Sequence, residues 1–311
     1  PSNAEDNRVS MVMSLYQLKA AKRKGKGIIF ETSPDPIYGD QLQDLSVAGM
    51  ESEGQLKVLY SKISKYFGNN YTHELRSPHY KADDLNYGDL NPLTTISARV
   101  APQMIGLGLL EAIPSSDIIK LADPNDLNGD GISGIARLVY SDEHESILLG
   151  RFGYKASSPT IRHQSAKAMH SDIGLSNPLY PVPWGDCTEM QKKCINFPHG
   201  DDDFGVGYEV GPEALKLLTF YSRNLGVPKR VDVGGQEILK GKSLFYETGC
   251  VSCHHPKFVT HRLINQNEQS FQLIWPYTDM LLHDMGDGLA DQGADNDLGR
   301  EWRTAPLWGI G

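Results

Sequence analysis

The chain has 311 residues, of which 39% are apolar and 22% charged, with a formal net charge of −9; this is a globular composition, long enough for one large domain or two. The surplus of acid sets aside nucleic acid and anionic membrane as default partners, since both are held through surplus Lys and Arg. The best apolar window, MIGLGLLEAI at 104–113, falls short of the roughly 18 to 20 residues of a membrane span, so none is expected.

To about residue 45 the chain is polar with scattered apolar positions. Its one basic run, KAAKRKGKG, reads as a solvated turn or helix end, and ETSPDPIYGDQ is rich in turns. Over 54–90 apolar and polar residues alternate (QLKVLYSKISKYF, then YTHELRSP), which predicts paired strands. ISARVAPQMIGLGLLEAI then takes a helical period, with Val100, Met104, Leu107 and Leu110 on one side and Pro114 as the stop. RFGYKASSPTIRHQSAKAMHSDIGLS reads as a turn followed by a helix, and 177–211 is rich in Pro, Gly and Asp. PEALKLLTFYSRNLGVP predicts a helix opened by Pro212 and stopped by Gly226 and Pro228, with Leu215, Leu218, Phe220 and Tyr221 as its buried stripe. A domain boundary is placed near Val231. GGQEILKGKSLFYETG is a further helix with Ile238, Leu239, Leu244 and Phe245 available for packing, and the acidic run DMGDGLADQGADNDLG reads as a solvated loop.

Three motifs carry chemistry. The first is a pair of cysteines, Cys187 and Cys194, at a spacing that a disulfide closes if the side chains face each other; the alternative is two separate thiols. A bridge there implies an oxidising compartment. The second is DPNDLNGDGISG, which sets Asp126, Asn128 and Asp130 at alternate positions, then Gly131 and the carbonyl of Ile132, as in the first half of an EF-hand calcium loop. The twelfth position is Arg137, so Asp123 or Asp142 would have to complete the site; the alternative is an Asx-turn loop without metal.

The third is GCVSCHHP at 249–256. C-x-x-C-H supplies two thiols for the vinyl groups of one porphyrin and an imidazole for its iron, here Cys250, Cys253 and His254. Zinc held by Cys250 and Cys253 with His255 and His261, or a dithiol redox pair, are the competing readings. If haem is bound, Met280, His283 and Met285 in YTDMLLHDMGDG are candidates for the sixth iron position, against plain core packing for the methionines.

The blocks YGDQLQ, APQMIGLGLLEAI, DGISG, LGRFGYKA, the Cys187/Cys194 pair, GCVSCHHP, YTDMLLHDMGDGLAD and EWRTAPLWGIG together resemble the bacterial di-haem oxidoreductase family of peroxidase-like or thiol oxidoreductase-like proteins, which is distantly similar to di-haem cytochrome c peroxidases. The resemblance implies a mainly α fold of cytochrome c-like haem domains, with the β-hairpin near residues 54–90 as an insertion. The domains would be 1–231, with the possible calcium loop, and 232–311, with C-x-x-C-H. It also implies a periplasmic enzyme with covalent haem c, two per full-length protein, exchanging electrons with a small donor protein. The family has two C-x-x-C-H motifs and this chain contains the second, so the chain is expected to begin just after the first and to stop before a further helical segment. His79, His163 and His170 are loose candidates for the surroundings of the other haem. No catalytic residue is assigned, and an electron carrier without catalysis of its own is the alternative function.

Overall fold

The computed structural model describes residues 11–68, 71–201, 205–294 and 296–310; the first ten residues of the expected domain 1–231 lie outside that set. In chain order come strands β1 (Met11–Lys24), β2 (Gly27–Ser33), β3 (Gln41–Leu42), β4 (Gln55–Tyr66), β5 (Thr72–Asp83) and β6 (Thr95–Val100), then helices α1 (Leu107–Glu111) and α2 (Ser115–Leu121). Strands β7 (Ala136–Ser141) and β8 (Ser146–Leu149) precede helices α3 (Ile161–Ser171), α4 (Lys192–Ile195), α5 (Pro212–Arg223) and α6 (Gln236–Glu247). The last part holds short strands β9 (Phe258–Val259), β10 (Leu273–Ile274) and β11 (Leu282–Asp284), helix α7 (Asp297–Arg300) and strand β12 (Glu301–Arg303).

The chain is 22% helical and 28% strand, with mixed and antiparallel sheets, so the expectation of a mainly α fold is overturned. The main sheet is built around β1, whose first half pairs with β6 and β3 and whose second half, from Gln17 onward with an irregularity between Leu18 and Ala20, pairs with β2. A parallel contact joins β2 to β7, and β8 closes that edge. The basic run supplies the end of β1 and the tight turn at Gly25 into β2. β6 takes up the start of the segment expected to be helical from Ile96 onward. Its inward positions are Thr95 and Ser97, so polar residues occupy the buried face and the alternation of a half-buried strand is not visible as hydrophobicity. Downstream, Pro102 and the left-handed Gly106 (φ 68°) confine the helix to α1. The alternation over 54–90 does form paired strands, β4 against β5 in register from Gln55↔Asp83 to Tyr66↔Thr72.

A polar knot ties β1 and β6 to the far end of the chain. Asp291, read as part of a solvated loop, is buried and accepts from Tyr16 Oη at 2.9 Å and from Ser97 Oγ. Lys155 lies 3.2 Å from the same carboxylate and also donates to the carbonyls of Leu298 and Gly299, both at 2.9 Å. Buried charges need such partners, because an unpaired one costs several kcal/mol. The apolar core crosses Val231 in the same way: Leu110, Ile118 and Ile161 pack with Phe258, Ile274 and Met280, while Tyr16 and Phe30 pack with Leu282 and Leu298. α5 lies against α1 and α3. Gly108 permits that approach, since a Cβ there would sit 2.3 Å from the carbonyl oxygen of Arg223. The buried face of α5 is Leu215, Thr219 and Ser222, whereas Phe220 and Tyr221 of the expected stripe are exposed.

Candidate functional site

α6 delivers the C-x-x-C-H motif. The helix is capped at its C-terminus by the amides of Thr248 and Gly249, which donate to the carbonyls of Leu244 at 2.9 Å and Tyr246 at 3.2 Å. Gly249 adopts φ 81°, a left-handed conformation that glycine takes without a Cβ clash and that commonly ends helices. A single 3₁₀ turn, Cys250–Ser252, follows, and the His254 amide donates to the Cys250 carbonyl at 2.9 Å. Two thiols and an imidazole therefore share one short turn. Both thiols are free, that of Cys250 exposed and that of Cys253 half-buried.

The imidazole of His254 is oriented from outside the motif. Its Nδ1 donates to the carbonyl of Tyr277 at 2.7 Å, which places the proton on Nδ1 and leaves the Nε2 lone pair for a metal. Tyr277 itself has φ 51°, uncommon for a residue with a side chain. The next residues are tied to the motif, with Thr278 N on the His255 carbonyl and Asp279 N on the Cys253 carbonyl, each at 3.0 Å. The Phe245 ring meets Tyr277 edge to face at 5.5 Å and His254 at 6.2 Å.

Of the candidates for the sixth position, His283 has both nitrogens engaged: Nδ1 lies 3.8 Å from Cys253 Sγ and Nε2 lies 2.8 Å from Asp279 Oδ2. Burial disfavours a charged His283, but the Asp279 carboxylate and the Cys253 sulfur outweigh it and raise its pKa to about 10. Met280 is buried in the core, and Arg303 Nη1 approaches its sulfur at 4.0 Å. Met285 is exposed. The loose histidine candidates separate into two places. His79 lies on β5 with its Nε2 3.0 Å from Ser61 Oγ. His163 and His170, both on α3, flank Tyr180, with His163 Nε2 3.2 Å from its hydroxyl and the His170 ring stacked at 5.2 Å. The same hydroxyl donates to Asp142 at 2.9 Å, and burial holds both imidazoles below their ordinary pKa.

Asp126, Asn128, Asp130 and Ile132 form a loop closed on itself. Asp126 Oδ2 accepts from the Gly131 amide at 3.1 Å, Asn128 Oδ1 from the Asp130 amide and Asp130 Oδ1 from the Ile132 amide, each at 2.9 Å. Among the described residues no group of three or more His, Cys, Asp or Glu side chains is arranged to hold a metal ion. That applies to the zinc reading of Cys250 and Cys253 with His255 and His261; His255 instead leans on the Phe258 ring at 4.9 Å. Cys187 and Cys194 are joined, with their Cα atoms 6.5 Å apart.

The residues around the motif fit a porphyrin. α6 has no buried residue, and it exposes Ile238, Leu239, Leu244 and Tyr246. Apolar side chains, two free thiols and an imidazole with its outer nitrogen fixed are the donor set that a covalently attached haem takes. Phe245 lies on the helix expected to lead into the motif; the partners Tyr277 and Asp279 are not legible as such, because nothing local shows that a stretch over twenty residues downstream folds back on the turn. The chain matches the family model described as "Di-haem oxidoreductase, putative peroxidase" over residues 69–311, and it belongs to that family. No curated protein and no solved structure matches it.

Proposed function

We propose, on the premise of membership in the di-haem oxidoreductase family, that this chain holds a c-type haem and serves a periplasmic, peroxidase-like oxidoreductase supplied with electrons by a small donor protein. Cys250 and Cys253 would form the thioether links and His254 Nε2 would be the axial ligand. The haem supplies one-electron iron chemistry when bound. The chain's own residues do the rest. The Tyr277 carbonyl keeps the proton on His254 Nδ1, which fixes the ring and makes Nε2 more basic. Phe245 restrains the ring plane from one side, and the exposed apolar side chains of α6 offer a surface on which a porphyrin could pack.

The observation that carries this reading is the 2.7 Å bond from His254 to Tyr277 in the turn that also bears two free thiols. The Cys187–Cys194 bridge supports an exported protein, since such bonds persist outside reducing compartments. The test is expression from the full-length gene with an export signal and a haem c maturation system, followed by a pyridine haemochrome assay. Two covalent haems per chain, with one lost in C250A/C253A, are expected; a haem-free product overturns the reading. Peroxide added to the reduced protein then separates the functions: rapid oxidation supports a peroxidase, and a persistent reduced spectrum indicates an electron carrier.

A further inference from the structure

β4 and β5 form a sheet of their own that stands out from the body as an arm. Its base is anchored: Leu56, Tyr80 and Ala82 pack beside Tyr38 and Leu42, and the Gln292 side chain binds both backbone groups of Tyr80, at 2.8 and 2.6 Å. Beyond the base the arm is bare. Every residue from Leu59 to Phe67 is exposed, as is the return strand over 72–79 except for the half-buried Ser77. At roughly 3.4 Å per residue, that part reaches about 25 Å. A two-stranded ribbon of this kind is marginally stable in water unless something packs on it.

Residues paired across the two strands share a face. One face of the projecting part carries Leu59, Ile63 and Leu75, with Ile63 directly opposite Leu75 and the two 40% and 46% exposed. The other face carries the charge. At the base Lys57 and Lys81 stand opposite each other, and Asp83 neutralises both, at 2.6 and 2.9 Å. Farther out Lys62 stands opposite Arg76, a like-charge pairing that costs stability when it is not compensated. Glu74 pairs with Lys62 at 2.8 Å. Among the described residues Arg76 and Lys65 have no carboxylate at ion-pair distance; the Arg76 guanidinium lies over the Tyr60 ring at 4.9 Å.

The arm's base is thus neutralised within the chain, while residues 59–79 hold three cations, Lys62, Lys65 and Arg76, against one acid, Glu74. The whole chain has a net charge of −9, so its acid surplus lies entirely on the body. A body of that sign complements the arm, and a second copy supplies it. We propose that the β4–β5 arm clasps the acidic body of a second copy of this chain in a two-fold dimer, covering Leu59, Ile63 and Leu75 and placing Arg76 and Lys65 against carboxylates. Reciprocal exchange closes the assembly, because each copy gives and receives the same contact. Lysines along the strands disfavour the alternative, open-ended strand addition.

The test is sedimentation equilibrium of the 311-residue chain at up to about 100 μM in low salt. A mass of twice 34.4 kDa is expected, shifting toward the monomer in about 1 M salt, where exposed charge pairs are screened. A chain that stays monomeric in low salt overturns the proposal. Two variants separate the apolar and charged parts of the contact, Ile63→Ser with Leu75→Ser and Arg76→Glu with Lys65→Glu. All four positions are exposed beyond the base, so the body keeps its fold, which an unchanged far-UV spectrum checks. Each variant should weaken dimerisation by at least about tenfold; unchanged dimerisation in either one overturns the proposal.

Discussion

α5 and α6 are both twelve-residue helices that follow a glycine and carry apolar residues, yet they sit in opposite environments. α5 sets Leu215, Thr219 and Ser222 against α1 and α3, and α6 buries none of its residues. Polar clamps reinforce the difference. Glu111 of α1 accepts from Arg223 of α5 at 2.7 Å and from the Ile161 amide at the start of α3 at 2.8 Å, so one carboxylate joins three helices. α6 has a well-formed C-terminal cap and the Phe245 contacts. Apolar residues on a helix thus do not show by themselves whether protein covers them: α5 also exposes Leu217, Phe220 and Tyr221, but it is α6 that leads into the attachment turn with Ile238, Leu239 and Leu244 uncovered.

The contrast can be broken most directly at Leu215. Leu215→Ala removes a fully buried side chain and should cost about 2 to 5 kcal/mol, read from chemical denaturation. Glu111→Gln should cost about 1 to 3 kcal/mol, because it weakens the charge-assisted bond to Arg223 and disturbs the α3 end; an unchanged midpoint would show that the three helices are held by apolar contact alone. A pH series sharpens the comparison on the α3 side. Burial lowers the pKa of His163 below its ordinary 6.5, so its contribution is fully present above about pH 6.5 and is lost as pH falls toward the folded value. The unfolding temperature should therefore drop less between pH 7 and pH 5 in His163→Gln than in the parent chain. On α6, Leu239→Ser should change the stability of the haem-free chain by no more than about 0.5 kcal/mol. In haem-loaded protein the same change should cost about 1 to 3 kcal/mol, and equal effects in the two forms would remove α6 from the haem surroundings.

Legibility followed locality. QLKVLYSKISKY alternates within its own span and forms β4, and PEALKLLTFYSR carries its own start signal and forms α5. β1 and β6 are hidden because their inward positions include Gln17, Thr95 and Ser97, whose polar groups are satisfied by partners elsewhere in the chain. The stripe on α5 is misplaced for a related reason, since Thr219 and Ser222 take the buried face; Thr219 does so by returning its hydroxyl to the Leu215 carbonyl at 2.7 Å. The same holds at the site. Cys250, Cys253 and His254 are legible because five consecutive residues contain all the chemistry. Asp279 and the Tyr277 carbonyl reach the turn from a segment with no sequence relation to it.

The hydroxyl of Tyr16 on the first strand meets Asp291, 275 positions later. During synthesis the first strand is therefore without this partner for about 14 to 55 s, at roughly 5 to 20 residues per second. Over that interval its inward face, including Met13 and Leu15, must be shielded by nearer segments such as Tyr38 and Leu42. The polar knot can close only after the chain around Asp291 has left the ribosome, which makes it a late checkpoint on assembly.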